Sequence, residues 1–417
     1  MKNPFSQTLL ALTFFSACLQ SGLVTADLAT EVQQITFGPR HHFFGYIGHV
    51  RTVPWNASGR YIVGLQTEFQ ERMPKPDEAA EIILLDTQDN YSIKVVERTR
   101  AWNFQQGTML YWNPHAPETQ FFFNDRDEKT NDVFCVLFDI IAGRRIAEYR
   151  YADAPVGNGG IAHNGSFAAI NYGRLARLRP VTGYPGVRDW SAGVKHPTDD
   201  GVFKINVRTN EKRLLVSFQQ LADALRPARP DVDQKDLFIN HTLWSRDNGR
   251  LFFFVRGDFD DRDKRLDVPF TIKADGTDLR PLGQHIGGHP EWESGKTMIG
   301  LADKRQVLFD IDRQEVTGRL GTAEMFPKPD GDVALSLDGK WFVNGHGDKG
   351  QNYYTILRRT DGAWTRTVGF DQGGYITGEL RIDPAPCWNR DGTQFLVTSS
   401  GADKKTRQMH VVTVKSK

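Results

Sequence analysis

The chain of 417 residues holds only three cysteines, and just two of them, Cys135 and Cys387, follow its first twenty-six residues. Two thiols cannot form a disulfide scaffold, and a chain of this length needs none. They are read either as one long-range bridge or as two buried free thiols. Net charge is also lacking: 52 basic residues stand against 51 acidic ones. Bulk composition therefore gives no attraction to nucleic acid or an anionic membrane, and a polyanionic ligand would need a local basic cluster. Beyond the N-terminus no segment approaches the roughly 18 apolar residues that span a bilayer. No Gly-x-Ser-x-Gly elbow occurs, which argues against an attached peptidase or esterase domain. Helix-compatible spacing is confined to short pieces such as SFQQLADAL at 217–225.

At the N-terminus Lys2 precedes an apolar run over 9–19 and small residues at Thr25 and Ala26. This is the pattern of a secretory signal peptide cleaved after Ala26, with lipoprotein processing at Cys18 as the alternative. The expectation is an exported protein, periplasmic or extracellular, with residues 27–417 as a single monomeric domain.

Internal repetition is the strongest positive signal. An aromatic or apolar residue, a turn with Gly or Asp, and an apolar strand recur as PWNASGRYIVGL, YWNPHAPETQFFF, IAHNGSFAAI, LWSRDNGRLFFFV, EWESGKTMIGL, LSLDGKWFVNG and CWNRDGTQFLVT. The markers Trp55, Trp112, Ala162, Trp244, Trp292, Leu335 and Trp388 are separated by 57, 50, 82, 48, 43 and 53 residues. Most of these intervals suit one four-stranded unit, because each module is generally followed by a second strand pair with hairpin residues. One such unit cannot bury both faces alone, so the pattern predicts an all-β, seven-bladed β-propeller. The 82-residue interval marks extra sequence in the third unit, at 174–196 and 219–236, and long loops on a repeat scaffold carry function.

That third unit holds Tyr172, Arg174, Arg177, Arg179, Tyr184 and Arg188. Guanidinium groups match carboxylates in a two-pronged geometry, so the segment is a candidate site for a carboxylate-bearing ligand. The bland alternative is a solvated loop whose arginines cover apolar surface. His241 and His289 each precede a module tryptophan by three residues. That places both near the start of an innermost strand, where two imidazoles suggest a divalent metal or a proton shuttle. Asp332 and Cys387 are weaker candidates for a third ligand, and two structural histidines are the competing reading. His41, His42 and His49 lie on a segment expected to close the ring, and are taken as structural. GDFDDRDKRLD at 257–267 lacks the spacing of a calcium loop and reads as a solvated outer turn. NGHGDKGQN at 344–352 does not lie between a strand and a helix, so phosphate binding is not expected.

These repeats, with GYPGV, NHTLWSRDNGR, DGTDLRPL and CWNRDGTQFLVTSS, resemble the propeller polysaccharide lyases, the ulvan lyases and oligogalacturonate lyases. The resemblance implies β-elimination on a uronate-containing glycan. On it, Tyr172 would be base and acid and Arg188 would neutralise the carboxylate. Gln106 and Asn124 stand where histidines would be expected; with Arg174 and Arg177 they would bind substrate. His241 and His289 would hold one divalent ion, such as Zn, Mn or Ca. The chain departs from the family at Ala385, where a further histidine is expected. A non-catalytic propeller binding a glycan or protein, and a purely structural one, are the competing readings.

Overall fold

The computed structural model describes residues 28–45, 52–283 and 286–416. The expected signal peptide, Cys18 and His49 lie outside them. Runs such as QFFFNDR and VFCVLFD are rich in aromatic and β-branched residues, and both are buried strands of one sheet. Seven antiparallel sheets occur among the described residues, each containing one repeat module. The modules thus locate every blade, including the third and sixth, whose markers are Ala162 and Leu335 rather than tryptophan.

The innermost strands, in blade order, are His41–Phe43, Tyr111–Trp112, Gly157–Ile161, Phe238–Trp244, Gly287–Trp292, Val333–Leu335 and Cys387–Trp388. Each starts a sheet whose next strands run outward in sequence order, and blade 6 carries an additional short strand, Phe370–Asp371. Ring closure differs from the expectation at 41–49. The strand Leu28–Gln34 is the outer edge of blade 7 and pairs along Arg407–Ser416 in register from Leu28 with Ser416 to Gln34 with His410. His41 and His42 instead begin blade 1 and fasten it to blade 7. His41 Nδ1 accepts from the Arg407 backbone N–H at 3.1 Å, and the His42 ring lies between Gln408 at 2.9 Å and Gln66 at 2.8 Å.

The module tryptophans repeat one contact. The indole N–H of Trp112 donates to Pro54 O at 2.7 Å, that of Trp244 to Gly160 O at 3.0 Å, that of Trp292 to Leu243 O at 2.8 Å, and that of Trp388 to Ala334 O at 3.1 Å. In every case the acceptor belongs to the preceding blade. The large ring fills the space between neighbouring sheets, and its one polar atom finds a partner there. Phenylalanines 121, 122, 123, 252, 253 and 254 are fully buried between sheets.

Both cysteines are free and buried, so the long-range bridge does not form. The helix Phe218–Leu225 appears where its spacing indicated, with Ser217 and Gln220 forming a reciprocal cap. A second helix, Tyr172–Leu178, falls within the segment read from sequence as a loop. At two turns its propensity is too weak a signal, and the cap from Asn171 to the Arg174 N–H at 3.0 Å and burial of one face decide it.

Replacing Trp292 by Phe retains the ring but removes its donor, stranding the Leu243 carbonyl. The expected loss is about 1 kcal/mol, read by denaturant unfolding. Deleting Leu28–Gln34 leaves Arg407–Ser416 as an open edge, and size-exclusion chromatography should then show self-association.

Candidate functional site

The segment AWNFQQGTMLYW, 101–112, enters blade 2 with three amides among aromatics. Trp102 and Phe104 pack edge to face at 5.1 Å and join Phe43 and Phe69 between blades 1 and 2. Asn103 is a local brace: its Oδ1 accepts from the backbone N–H groups of Gln105 at 2.9 Å and Gln106 at 2.7 Å. This turn passes against Gly107, whose φ is +61° and where a Cβ would lie 2.5 Å from Phe44 O. The two glutamines are thereby pushed out of the core and over the ring axis.

There they meet side chains from four other blades. Gln105, Gln106, Arg179, Thr182, Asn240, His241, Arg256, Phe259, His289, Arg381 and Asp383 line one recess of about 480 Å³ including its mouth. Blades 2, 3, 4, 5 and 7 can meet only at the central channel. Gln106 Nε2 donates to Asn240 Oδ1 at 3.4 Å, and Arg381 donates to Gln105 Oε1 at 3.1 Å, so both contacts cross the ring. Arg407 supports the floor: its guanidinium donates to Gln70 Oε1 and to the carbonyls of Phe104, Leu380 and Arg381. The buried cation thus ties the strand of Gln105 to the loop of Arg381.

Backbone irregularities aim the imidazoles. The pairing of blade 4 shifts register between Asn240 and Leu243, and that of blade 5 between Gly287 and Glu291. Bulges of this kind re-aim side chains at strand ends. His241 sits in the left-handed region at φ +58°, an unfavourable conformation for a side-chain-bearing residue that the surrounding sheet must hold. The rings of His241 and His289 are 5.7 Å apart at 82°. His289 Nδ1 lies 2.5 Å from Asp332 Oδ1. Desolvation pulls the His289 pKa down, but the Asp332 carboxylate, with help from Asp383 and against Arg256, turns the balance upward. Burial pushes the Asp383 carboxyl up, opposed by Arg381, whose Nε lies 2.6 Å away. Close approach makes this loop possible: at Gly345 a Cβ would lie 1.8 Å from Pro384 O.

Three donors on this one recess meet no acceptor among the described residues: Arg179 Nε, Gln105 Nε2 and Asn240 Nδ2. Each costs about 1–3 kcal/mol if left without a partner, so the recess is organised for a ligand or water that accepts hydrogen bonds.

The expected site residues divide into two groups. Gln106, His241 and His289 converge; the others do not. Tyr172 is 1% exposed, stacks on Tyr184 at 4.4 Å and donates its hydroxyl to Asn158 O at 2.8 Å. Burial raises its pKa well above the ordinary phenol value, which disfavours the phenolate a base requires. Asn124 is spent on blade 3: Nδ2 donates to Asn158 O at 2.8 Å and to the Tyr184 hydroxyl at 3.1 Å, while Oδ1 accepts from Asn158 N at 2.7 Å. Arg174 lies inside the third-blade insertion, donating to Leu237 O, Ser191 Oγ, Val194 O and Lys195 O. Arg177 pairs with Asp189 at 2.8 Å, and Arg188 with Asp132 at 2.6 Å, both away from the recess. Tyr172, Arg188, Asn124, Arg174 and Arg177 are therefore corrected to structural or surface roles. Of the arginines in that segment only Arg179, at the C-terminal cap of the helix, reaches the channel.

Sequence reasoning passed over Gln105, Asn240, Arg256, Phe259, Arg381 and Asp383. Arg256 had a usable signal, since FFFVRG ends a buried strand with a charge. The turn at 257–267 is not simply an outer one, because Phe259 lines the recess. As for a divalent metal, the two imidazoles meet, but no three His, Cys, Asp or Glu side chains among the described residues are grouped to hold an ion.

Fold and recess together define a seven-bladed propeller with a polar, arginine-lined pocket at one mouth of its channel. No protein-family model matches the chain, and no curated protein matches it in sequence. Among solved structures it resembles an oligogalacturonate lyase from Vibrio parahaemolyticus, with TM-score 0.59 and 13% identity over 94% of this chain and 97% of that one. The β-propeller domain of the Trilobed protease from Pyrococcus furiosus matches with TM-score 0.45 and 10% identity over 84% and 91% of the two chains. TolB from Acinetobacter baumannii matches with TM-score 0.39 and 11% identity over 93% and 98%. At 13% identity the likeness to the lyase structure shows the propeller fold alone. No helix among the described residues is long and apolar enough to cross a membrane.

The His289–Asp332 pair has a pH signature. With the folded pKa of His289 above its ordinary 6.5, the pair's stabilisation is full below that value and is lost as pH rises through the raised one. Asp332→Asn should lower the His289 pKa in an NMR titration. It should also cost most stability in acid, with the difference from wild type shrinking as pH rises; a cost that grows with pH would refute the pairing.

Proposed function

We propose that the protein is an exported lyase that cleaves uronate-containing oligo- or polysaccharides by β-elimination in the channel-mouth recess. The observation that carries this reading is the meeting of three unsatisfied donors, on Arg179, Gln105 and Asn240, with two adjacent imidazoles. A uronate offers carboxylate and hydroxyl oxygens to the donors and an acidic carbon to a base. Charge-assisted hydrogen bonds from Arg179 and the amides would stabilise the carboxylate as it takes up charge, raising the acidity of C5.

In this scheme His241 removes the C5 proton. The C5–H electrons form the C4–C5 double bond, the bond from C4 to the glycosidic oxygen breaks, and that oxygen takes a proton from His289. The raised pKa of His289 suits it to hold that proton near neutrality. Base and acid return to their starting states by exchange with solvent. A divalent cation on His241 and His289 belongs to the proposal as a separate point, read by metal content after dialysis, and no step above passes through it. The similarity in fold to an oligogalacturonate lyase supports the reading.

A panel of polygalacturonate, ulvan and other polyuronates should yield unsaturated products absorbing in the ultraviolet. His241→Ala should reduce turnover by about 100-fold or more. Tyr172→Phe and Arg188→Ala, placed outside the recess, should keep turnover within about threefold of wild type, the range of an indirect effect below 1 kcal/mol. No absorbance change across the panel, with or without added divalent metal, defeats the lyase reading. Ligand-specific thermal stabilisation without turnover would favour a glycan-binding propeller instead, a reading supported by the Arg381–Asp383 ion pair that already occupies part of the recess.

A further inference from the structure

The wall of the recess continues outward along the turn between strands Arg250–Gly257 and Leu266–Lys273. Phe259, on this turn, lines the recess, and three guanidinium groups surround its ring: Arg179 at 4.2 Å, Arg256 at 4.3 Å and Arg265 at 4.3 Å from the centroid. Their carboxylate partners are unequally shared. Arg179 pairs with Asp260 at 2.6 Å and Arg256 with Asp267 at 2.8 Å. Asp258 is taken by Lys235 at 3.0 Å and Asp261 by Lys264 at 3.2 Å. Arg265 has no carboxylate within ion-pair distance among the described residues. It is exposed, and its Nε donates to Phe259 O at 2.6 Å. That bond and the ring contact hold the guanidinium on Phe259, whose own side chain lines the recess. Arg262, on the same turn, is also exposed and without an ion-pair partner among the described residues, as is Asp263.

We infer that Arg265, held in place on Phe259, forms a second subsite, which receives the carboxylate of the uronate next to the one held in the recess. This rests on the lyase reading in one respect, that the ligand is a uronate chain. The carboxylate of that sugar pairs with a guanidinium that has no carboxylate partner among the described residues, while the Phe259 ring, covered by arginines, serves as the platform that holds it. Arg179 belongs to both parts: it lines the recess with a buried Nε that meets no acceptor among the described residues, and its guanidinium packs on Phe259. The turn is thus a chain-length reader, selecting oligomers over monomers.

The test is calorimetric binding of monomeric and trimeric galacturonate and glucuronate to the His241→Ala protein, in which turnover is reduced, and to the same protein carrying Arg265→Gln or Phe259→Ala. A trimer is expected to bind at least tenfold tighter than its monomer. Arg265→Gln should remove at least fivefold of that advantage and change monomer binding less than twofold, with Arg265→Lys restoring part of it. Arg265 is exposed, so its replacement leaves the fold intact, and Arg262→Gln serves as the matched surface control. A trimer advantage unchanged by Arg265→Gln, equally reduced by Arg262→Gln, or lost together with monomer binding overturns the subsite while leaving the lyase reading standing. Absence of binding by any of the four sugars to His241→Ala and to wild type alike overturns both.

Discussion

The contact on which this architecture rests is the indole N–H of one blade donating to a backbone carbonyl of the blade before it. A single propeller sheet has two apolar faces and cannot be stable alone. The tryptophans at positions 112, 244, 292 and 388 each fill the wedge between neighbouring sheets and hydrogen-bond across it. Packing alone would allow sheets to slide, whereas a directional bond at the same place in four of the blades fixes each against the one before it. The pairing of Leu28–Gln34 with Arg407–Ser416 then closes the ring with a ladder between chain ends. Such closure lets the channel mouth remain polar, because the sheets need no further apolar material at the axis.

Once the ring is fixed, chemistry at the mouth depends on how innermost strands begin. Blades 4 and 5 begin irregularly, and their register shifts turn His241 and His289 towards each other. Blade 2 begins with an Asn103-braced turn that sends Gln105 and Gln106 to the axis. Blade 7 begins with a loop that lies directly on Gly345, bringing Asp383 into the recess. Each is a local departure from regular strand geometry, and each ends in a side chain facing the same space. The third-blade insertion serves this arrangement from behind: its buried Arg174 and the Tyr172–Tyr184 stack hold the helix whose C-terminal cap, Arg179, enters the recess.

The distribution of arginines illustrates why a residue-rich segment is an unreliable guide to a site. Among Arg174, Arg177, Arg179 and Arg188, the first is buried in backbone carbonyls, two are in surface ion pairs, and one reaches the channel. All four looked alike in sequence because composition reports charge and not direction. The amides behaved in the same way: Asn124 and Gln106 seemed equivalent, yet Asn124 spends its amide on Asn158 and Tyr184 while Gln106 looks across the ring. A one-position difference along a strand exchanges the core face for the channel, and no compositional pattern records which occurs.

The sequence by itself determined the number of blades, the place of every module and the proximity of His241 and His289 to innermost-strand starts, because strand periodicity and turn chemistry are local properties. It also located the irregular third unit and the helix at Phe218–Leu225. Tertiary structure alone decided that the thiols of Cys135 and Cys387 stay apart, that Leu28–Gln34 closes the ring, and that Tyr172 lies in the core while Arg256, Phe259, Arg381 and Asp383 meet at the mouth. The physical reason is that Arg256 and Phe259 lie more than a hundred positions from Arg381 and Asp383, and they share a site only because a closed ring brings distant blades to one axis. Even AWNFQQGTMLYW divides along this line: its aromatics announced a core, but only closure of the ring gave Gln105 and Gln106 something to face.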